Sequence, residues 1–245
     1  MRCRRVKELP ELLAMHPALS SIGLIEEQPT VAWQRVAYLD TRAKEKIGRT
    51  LLDRAAPLMG FVACDAFSLD EHTTSLVWKS TLEADAVLLA GVLKANTVLQ
   101  SISFDELRED SKELMGHALL ANPSSRVGLC DAYNLKLGST AAVYELNAKN
   151  KEPSKDVVRS VKSFVLLCGI LRGNKSLISL TLKGLKMQSV AVLARALRGN
   201  SSLQNLTLEF EGENKKGTNS DVTLKVRQVT GRQPVRKLDL TDGMA

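Results

Sequence analysis

The segment Leu167–Phe210 reads LCGILRGNKSLISLTLKGLKMQSVAVLARALRGNSSLQNLTLEF and contains one phrase twice. The first copy, LRGNKSL, begins at Leu171, and the second, LRGNSSL, begins at Leu197. In each copy two further leucines follow at the same distances from the phrase. Because the helix-like part, the Gly-Asn pair and the leucine pair all recur together, two unrelated amphipathic helices do not explain the pattern. The segment is a structural repeat.

Each copy combines two periodicities. Before Asn200 the apolar residues fall at helical spacing, and after it they end on a spacing of two, as in a strand with one buried face. The helical positions are Val190, Leu193, Ala194 and Leu197, and the strand positions are Leu203, Leu206 and Leu208. Gly199 and Asn200 tolerate the left-handed conformation that ends a helix. A helix, a cap, a turn and a strand therefore form one unit, and a unit of roughly 20–29 residues is typical of leucine-rich solenoids.

A longer duplication surrounds this segment. CDAFSL at Cys64 resembles CDAYNL at Cys130, and AGVLKAN at Ala90 resembles CGILRGN at Cys168. The offset between the copies is larger at the second match than at the first, so the second copy carries an insertion, which we place in the polar stretch 147–155. We therefore divide the chain into an irregular N-terminal repeat region with an insertion (1–63), a first repeat block (64–129), a second repeat block (130–210) and a C-terminal linker with an incomplete last repeat (211–245).

The same pattern predicts where individual elements lie. Residues 42–54 are expected to form a helix, residues 58–64 a buried strand, and residues 12–24 a worn copy of the repeat unit. The repeat strands are expected at Leu76–Trp78, Ile102–Phe104, Val127–Cys130, Val143–Leu146, Leu180–Leu182 and Leu206–Leu208. Before the first and the fourth of these strands, the chain has room for a turn but not for a helix, so those repeats are short ones.

Both ends of the chain look incomplete as ends of a repeat array. The repeat unit is present almost from the first residues, whereas an array normally begins with a capping unit. Near the other end, residues 222–229 alternate as a strand would, and VRKLDL at 235–240 resembles one more repeat strand without its helix. An array that stops there leaves an uncovered edge. We therefore expect a longer protein, or a partner or a second copy that covers this edge.

Composition narrows the possible environments. The formal net charge is +7, and the basic residues are spread out apart from a run at Arg2–Lys7 and a cluster at Arg42–Arg49. Such a balance can favour nucleic acid or anionic membranes, although scattered charge of this kind is more often a solvated face. Four cysteines without paired spacing, and no secretory signal, favour a reducing compartment; the expected location is the cytoplasm, with organelle targeting left open. No apolar run is long enough for a membrane span.

The pattern LxxaLxxNxxLxxLxL resembles the leucine-rich repeats of the ribonuclease-inhibitor type, which also build the repeat arrays of NOD-like receptors and of the Ran GTPase-activating protein. The resemblance is carried by four asparagines with their flanking leucines, Asn96, Asn122, Asn174 and Asn200. It covers most of residues 76–210 and residues 12–24. It implies an α/β fold: a horseshoe-shaped solenoid with a parallel sheet on the concave side, helices outside, and some irregular or short repeats. It implies protein binding as the commonest use and names no partner.

The sequence contains no recognisable catalytic or metal-binding motif. GxSxG, HExxH and P-loop patterns are absent, and the three histidines are far apart. Cys64 and Cys130 lie at equivalent repeat positions beside apolar residues, which predicts buried structural thiols. Trp78 and Tyr144 alternate with strand residues and are expected in the core. We therefore predict that the chain is not an enzyme and that it holds no cofactor and no metal.

The expected contact surface follows from strand geometry. Residues that alternate with the inward leucines point to the concave face. The candidates for partner contact are Lys79, Asp105, Glu145, Lys183, Glu209 and Asp239. Their mixed signs favour a protein partner over a nucleic-acid backbone. The sequence thus predicts a non-enzymatic interaction scaffold or assembly subunit. Two alternatives stay open: a regulator of a small GTPase, by analogy with the Ran activator, and a basic RNA-associated or organellar assembly protein.

Overall fold

In the computed structural model, the described residues are 40–54, 60–104, 106–146 and 157–210, together with the backbone of 223–227. These ranges contain five α-helices and nine strands. The helices are α1 (Thr41–Asp53), α2 (Glu83–Leu93), α3 (Glu109–Ala121), α4 (Val161–Gly173) and α5 (Val190–Gly199). The strands are β1 (Val62–Ala63), β2 (Ser68–Leu69), β3 (Ser75–Trp78), β4 (Ser101–Phe104), β5 (Ala141–Leu146), β6 (Val157–Val158), β7 (Ser179–Leu185), β8 (Asn205–Phe210) and β9 (Thr223–Arg227).

The main sheet is largely parallel. Four strands form its parallel part in the order β6-β5-β7-β8, and β9 pairs with β8 in the antiparallel direction. Strands β3 and β4 form a separate parallel pair, and β1 and β2 a short antiparallel pair. Because parallel strands must be joined by a crossover, helices alternate with strands along most of the chain. The protein is therefore a mixed α/β protein with a four-stranded parallel sheet.

Five of the six predicted repeat strands are confirmed, since a strand overlaps each expected place. The exception is 127–130, where Leu129 makes an isolated parallel bridge to Ser101. The next residue, Cys130, turns back into an antiparallel bridge with Leu135, which ends the parallel pairing after a single residue. The strand predicted at 127–130 is therefore reduced to a single parallel bridge beside β4.

The predicted helix at 42–54 is confirmed as α1, and β1 lies within the predicted strand at 58–64. The predicted strand at 222–229 contains β9. The two stretches predicted as short repeats contain turns in place of an α-helix, as expected, and the second has a single turn of 3-10 helix at Asp131–Tyr133. The worn copy at 12–24, the insertion at 147–155 and the last strand at 235–240 lie outside the described residues.

The four asparagines of the predicted repeats bond to backbone groups of earlier segments. Asn122 Nδ2 donates to Leu93 O at 2.9 Å and to Asn96 O at 2.7 Å, while its Oδ1 accepts from Ser124 N at 2.9 Å. The other three also lie buried and donate through Nδ2 to a backbone carbonyl of an earlier segment: Asn96, Asn174 and Asn200. A buried amide needs such partners. The expected structural role of the four asparagines is confirmed.

Successive helices pack on one another, and two of these pairs, α1–α2 and α3–α4, have matching contacts. A Cβ atom on Gly91 of α2 would lie 2.8 Å from Gly48 O of α1. A Cβ atom on Gly169 of α4 would lie 2.9 Å from Gly116 O of α3. Glycine is therefore needed where each pair of backbones touches. Helices α3 and α4 lie on opposite sides of the predicted block boundary between residues 129 and 130. That boundary stays a prediction.

The core is filled by leucine with a few aromatic rings. Tyr144 and Trp78 are 1% and 3% exposed, so their predicted core positions are confirmed. Cys64 and Cys130 are buried and form no disulfide, also as predicted. Burial raises the pKa of the Cys64 thiol, which makes it a poor nucleophile near neutral pH.

One residue of the basic cluster at Arg42–Arg49 is not part of the solvated charge that the sequence suggested. Lys44 is 3% exposed, and its Nζ lies 2.8 Å from Asp65 Oδ2 and 2.7 Å from Asp85 Oδ1. Burial opposes its charge, but the two carboxylates outweigh burial and raise the pKa of Lys44. The side chain points inward because Lys44 shares the buried face of α1 with Ile47.

Candidate functional site

The main sheet presents one face to solvent. Along β5, β7 and β8, every second side chain is buried, including Tyr144, Leu182 and Leu208, which are at most 1% exposed. The outward positions are Ala141, Val143, Glu145, Ser179, Thr181, Lys183, Asn205, Thr207 and Glu209. We call these nine residues the exposed sheet face.

Three predicted contact residues lie side by side on the exposed sheet face. Glu145 pairs in register with Lys183, and Lys183 Nζ lies 3.9 Å from Glu209 Oε2 on the next strand. We call these three the charged row. Directly after it, Gly184 adopts a positive φ of 69°, and a Cβ atom there would lie 2.8 Å from Leu146 O. The register of β7 and β8 shifts at this bulge, so the charged row marks the end of the regular face.

The other three predicted contact residues do not join this row. Lys79 is exposed, but it follows β3, which belongs to the separate β3–β4 pair. Asp105 and Asp239 lie outside the described residues. The expectation of a single face assumed that all repeat strands belong to one sheet. The antiparallel bridge at Cys130 interrupts that continuity between β4 and β5.

Two exposed valines belong to the outward surfaces and were not among the predicted contact residues. Val143 is 52% exposed on β5, and Val77 is 61% exposed on β3. Each precedes a buried aromatic residue, Tyr144 or Trp78. Because neighbouring residues of a strand point to opposite faces, an inward aromatic forces the valine outward. The paired Val-aromatic steps were the signal that could have revealed them.

A cleft of about 550 Å³ lies beside the N-termini of α2, α3 and α4. It is lined by Ser80, Thr81, Leu82, Ala86, Phe104, Glu106, Leu107, Arg108, Glu109, Ser111, Lys112, Ala132, Tyr133, Val157, Arg159 and Ser163. Sequence reasoning missed it, because its walls come from segments that only the tertiary packing brings together.

Polar groups in this cleft bind one another. Lys112 Nζ donates to Glu109 Oε1 at 2.6 Å and to Ser163 Oγ at 3.3 Å. Ser160 and Ser163 both hydrogen-bond the Glu109 carboxylate. Burial opposes ionisation of Glu109, but the bonds from Lys112 and Ser160 outweigh burial and lower its pKa. These contacts tie α3 to α4, which is a structural role.

Two kinds of group in the described residues bear on reactivity: candidate metal ligands and the tyrosine of the cleft. Within them, no group of three or more His, Cys, Asp or Glu side chains could hold a metal ion. In the cleft, Tyr133 Oη donates to Ser163 O at 2.8 Å, and burial raises the pKa of the phenol well above its usual value. The phenol therefore stays protonated at neutral pH.

The fold and the exposed sheet face define a class: a mixed α/β protein with a parallel sheet that is open on one side. None of the helices in the described ranges combines the length and apolar character needed to cross a membrane. A scan against protein-family models finds no family that matches the chain, and searches of curated proteins and of solved structures find no similar protein.

Proposed function

We propose that this chain is a non-enzymatic protein-binding scaffold, built as a leucine-rich-repeat solenoid with its parallel strands on the concave side. Two features support this architecture. The asparagine side chains bond from each unit to an earlier one, and the glycine contacts repeat from one helix pair to the next. In a solenoid each unit buries its leucine face only against its neighbours, so contacts of this kind are what hold it together.

The exposed sheet face is the observation that carries the proposed activity. Val143 is 52% exposed among the small side chains of Ala141, Thr181 and Thr207. The charged row borders this apolar spot with alternating signs, negative, positive and negative. Transient protein interfaces combine an apolar centre with a polar, charged rim. The alternating charges would set the orientation of the partner more than its affinity.

The test is quantitative capture of partners by the full chain. A double variant, Val143→Arg with Lys183→Glu, disrupts the exposed sheet face. A matched control, Val161→Arg with Lys46→Glu, changes an equally exposed valine and an exposed lysine on helices. We expect mass spectrometry to show at least about a 10-fold loss of specific partners for the first variant, because central contact residues dominate binding. Identical partner sets for the two variants and the unaltered chain would reject this face.

Three further parts of the proposal have separate tests. A cytoplasmic location fits the buried cysteines Cys64, Cys130 and Cys168, which form no disulfide, and cell fractionation checks it. A partner or second copy at the C-terminal edge predicts a larger species of the full chain; a monodisperse monomer in light scattering would contradict that part.

The alternative of a small-GTPase regulator rests on resemblance alone, and unchanged GTP hydrolysis across candidate GTPases would contradict it.

A further inference from the structure

Three arginines meet where α4 and α5 end. Arg172, in the last turn of α4, lies against the C-terminal turn of α5, so that a Cβ atom on Gly199 would lie 2.7 Å from its Cγ and 2.9 Å from its Cζ. Arg172 Nη1 also donates to Arg195 O at 3.4 Å. Arg195 and Arg198 are one helical turn apart on α5, and both are exposed. We call these three residues the arginine cluster. The packing on α5 orders Arg172 before any ligand arrives.

The positive charge of the arginine cluster has no counter-ion among the described residues, where none of the three guanidinium groups forms an ion pair. Burial lowers the pKa of Arg172, and the charges of Arg195 and Arg198 lower it further. A cation in the last helical turn is favourable, since it complements the helix dipole. The dipole explains one cation at each helix end, whereas three cations that repel each other require a different reason.

The equivalent positions on α2 and α3 show that the fold does not require this cluster. In the alignment that places AGVLKAN on CGILRGN, the places of Arg172, Arg195 and Arg198 are occupied by Lys94, His117 and Leu120. Lys94 Nζ donates to two carbonyls at the end of α1, those of Leu52 and Arg54. Lys94, the equivalent of Arg172, therefore binds backbone carbonyls of this chain. Three guanidinium groups come together only at the ends of α4 and α5, not at the equivalent ends of α2 and α3.

We propose that the arginine cluster binds the phosphodiester backbone of a nucleic-acid strand. Guanidinium groups donate paired hydrogen bonds that match phosphate oxygens. A protein partner would need an apolar centre, but none of the exposed large hydrophobic residues in the described ranges belongs to the C-terminal turns of α4 or α5. Because aromatic residues make up only 4% of the chain, base stacking is not expected, and binding should be independent of sequence. This site is separate from the exposed sheet face, and its failure would leave the scaffold proposal intact.

The test measures fluorescence anisotropy of labelled single strands about 20 nucleotides long, RNA and DNA, with the full chain from about 50 to about 200 mM salt. The cluster variant is Arg172→Gln, Arg195→Gln and Arg198→Gln. The control variant is Arg42→Gln, Lys46→Gln and Lys136→Gln, which removes the same charge from exposed sites elsewhere. We expect the cluster variant to lose about 10-fold or more in affinity and about 2 from the salt slope, since each single-strand phosphate contact contributes about 0.7.

A second variant protects the test against misfolding. Because Arg172 packs on α5, the double change Arg195→Gln and Arg198→Gln leaves that packing intact, and circular dichroism confirms its fold. It should lose about two thirds of the salt slope that the cluster variant loses. Equal losses for the cluster and control variants would mean net charge only and overturn the site. Absence of strand binding, with capture of a labelled polyglutamate instead, would overturn the nucleic-acid assignment.

Discussion

The two helix pairs, α1–α2 and α3–α4, share a backbone contact and differ in the polar groups beside it. Gly48 meets Gly91 in the first pair, and Gly116 meets Gly169 in the second, at nearly the same distances. A lysine lies one helical turn before the first glycine in both pairs. In α1–α2 this lysine is Lys44, which Asp65 and Asp85 neutralise from distant segments. In α3–α4 it is Lys112, which Glu109 neutralises from one turn earlier on the same helix. The contact between backbones is therefore retained where the electrostatics differ.

The residues near each lysine explain why Lys44 and Lys112 differ in exposure. Thr41 occupies the place in α1 that Glu109 occupies in α3, so the lysine of the first pair has no acid on its own helix at that position. Asp85 of α2 is replaced by Ser163 in α4. Lys44 is consequently drawn into the interface and is 3% exposed, whereas the Lys112 side chain is 20% exposed. Ion pairs between distant segments therefore lie inside the α1–α2 interface, whereas an ion pair within α3 lies at the edge of the α3–α4 interface.

Replacing each lysine by methionine should separate the two pairs most strongly. Lys44→Met leaves Asp65 and the buried Asp85 without their cation, and we expect a loss of about 3–5 kcal/mol in the free energy of unfolding. Lys112→Met should cost about 1 kcal/mol, because Glu109 is still open to solvent. Urea denaturation measures both values. The control, Lys44→Met with Asp85→Leu, should recover most of the loss, and equal losses for the two single variants would contradict the comparison.

Substitution of the contact glycines should affect both pairs alike. A Cβ atom on Gly48 would lie 2.5 Å from the carbonyl carbon of Val87, and one on Gly116 would lie 2.6 Å from Leu166 N. We expect Gly48→Ala and Gly116→Ala each to destabilise by about 2 kcal/mol, despite the better helix propensity of alanine. Thermal unfolding tests this. The exposed neighbour provides the control, since His117→Ala should change stability by less than about 0.5 kcal/mol. A stabilised glycine variant would show that the helices separate easily.

The smallest effect is expected from Glu109, through the pH dependence of stability. Its pKa is lowered in the folded chain, so its ionised form adds stability above the usual glutamate pKa of about 4.3. That stability is lost as the pH falls through the lower folded pKa. Glu109→Gln should therefore cost about 0.5 kcal/mol at pH 7, after allowance for its exposure, and almost nothing at the acidic end. A difference that is the same at pH 7 and pH 3 would exclude the ionic explanation.

Sequence reasoning located the strands, the first helix and the buried asparagines, because each depends on local periodicity. It also anticipated that Glu145, Lys183 and Glu209 point outward. It missed that α1 repeats as α3, although Lys44 and Gly48 recur there as Lys112 and Gly116. The signal was present but was spread over two helices with few leucine matches. It also assumed one continuous face, because no sequence feature announces that Cys130 turns back to Leu135.

The sequence by itself determined the unit: helical spacing before Asn200, a spacing of two after it, and the repeated glycines and asparagines. These follow from the conformation of a few neighbouring residues. Only the tertiary structure decided that Lys44 is buried, that the main sheet is separate from β3 and β4, and that Arg172 approaches Arg195 and Arg198. Each of these depends on which distant segments come into contact, and contact between distant residues sets burial, counter-ions and charge clustering.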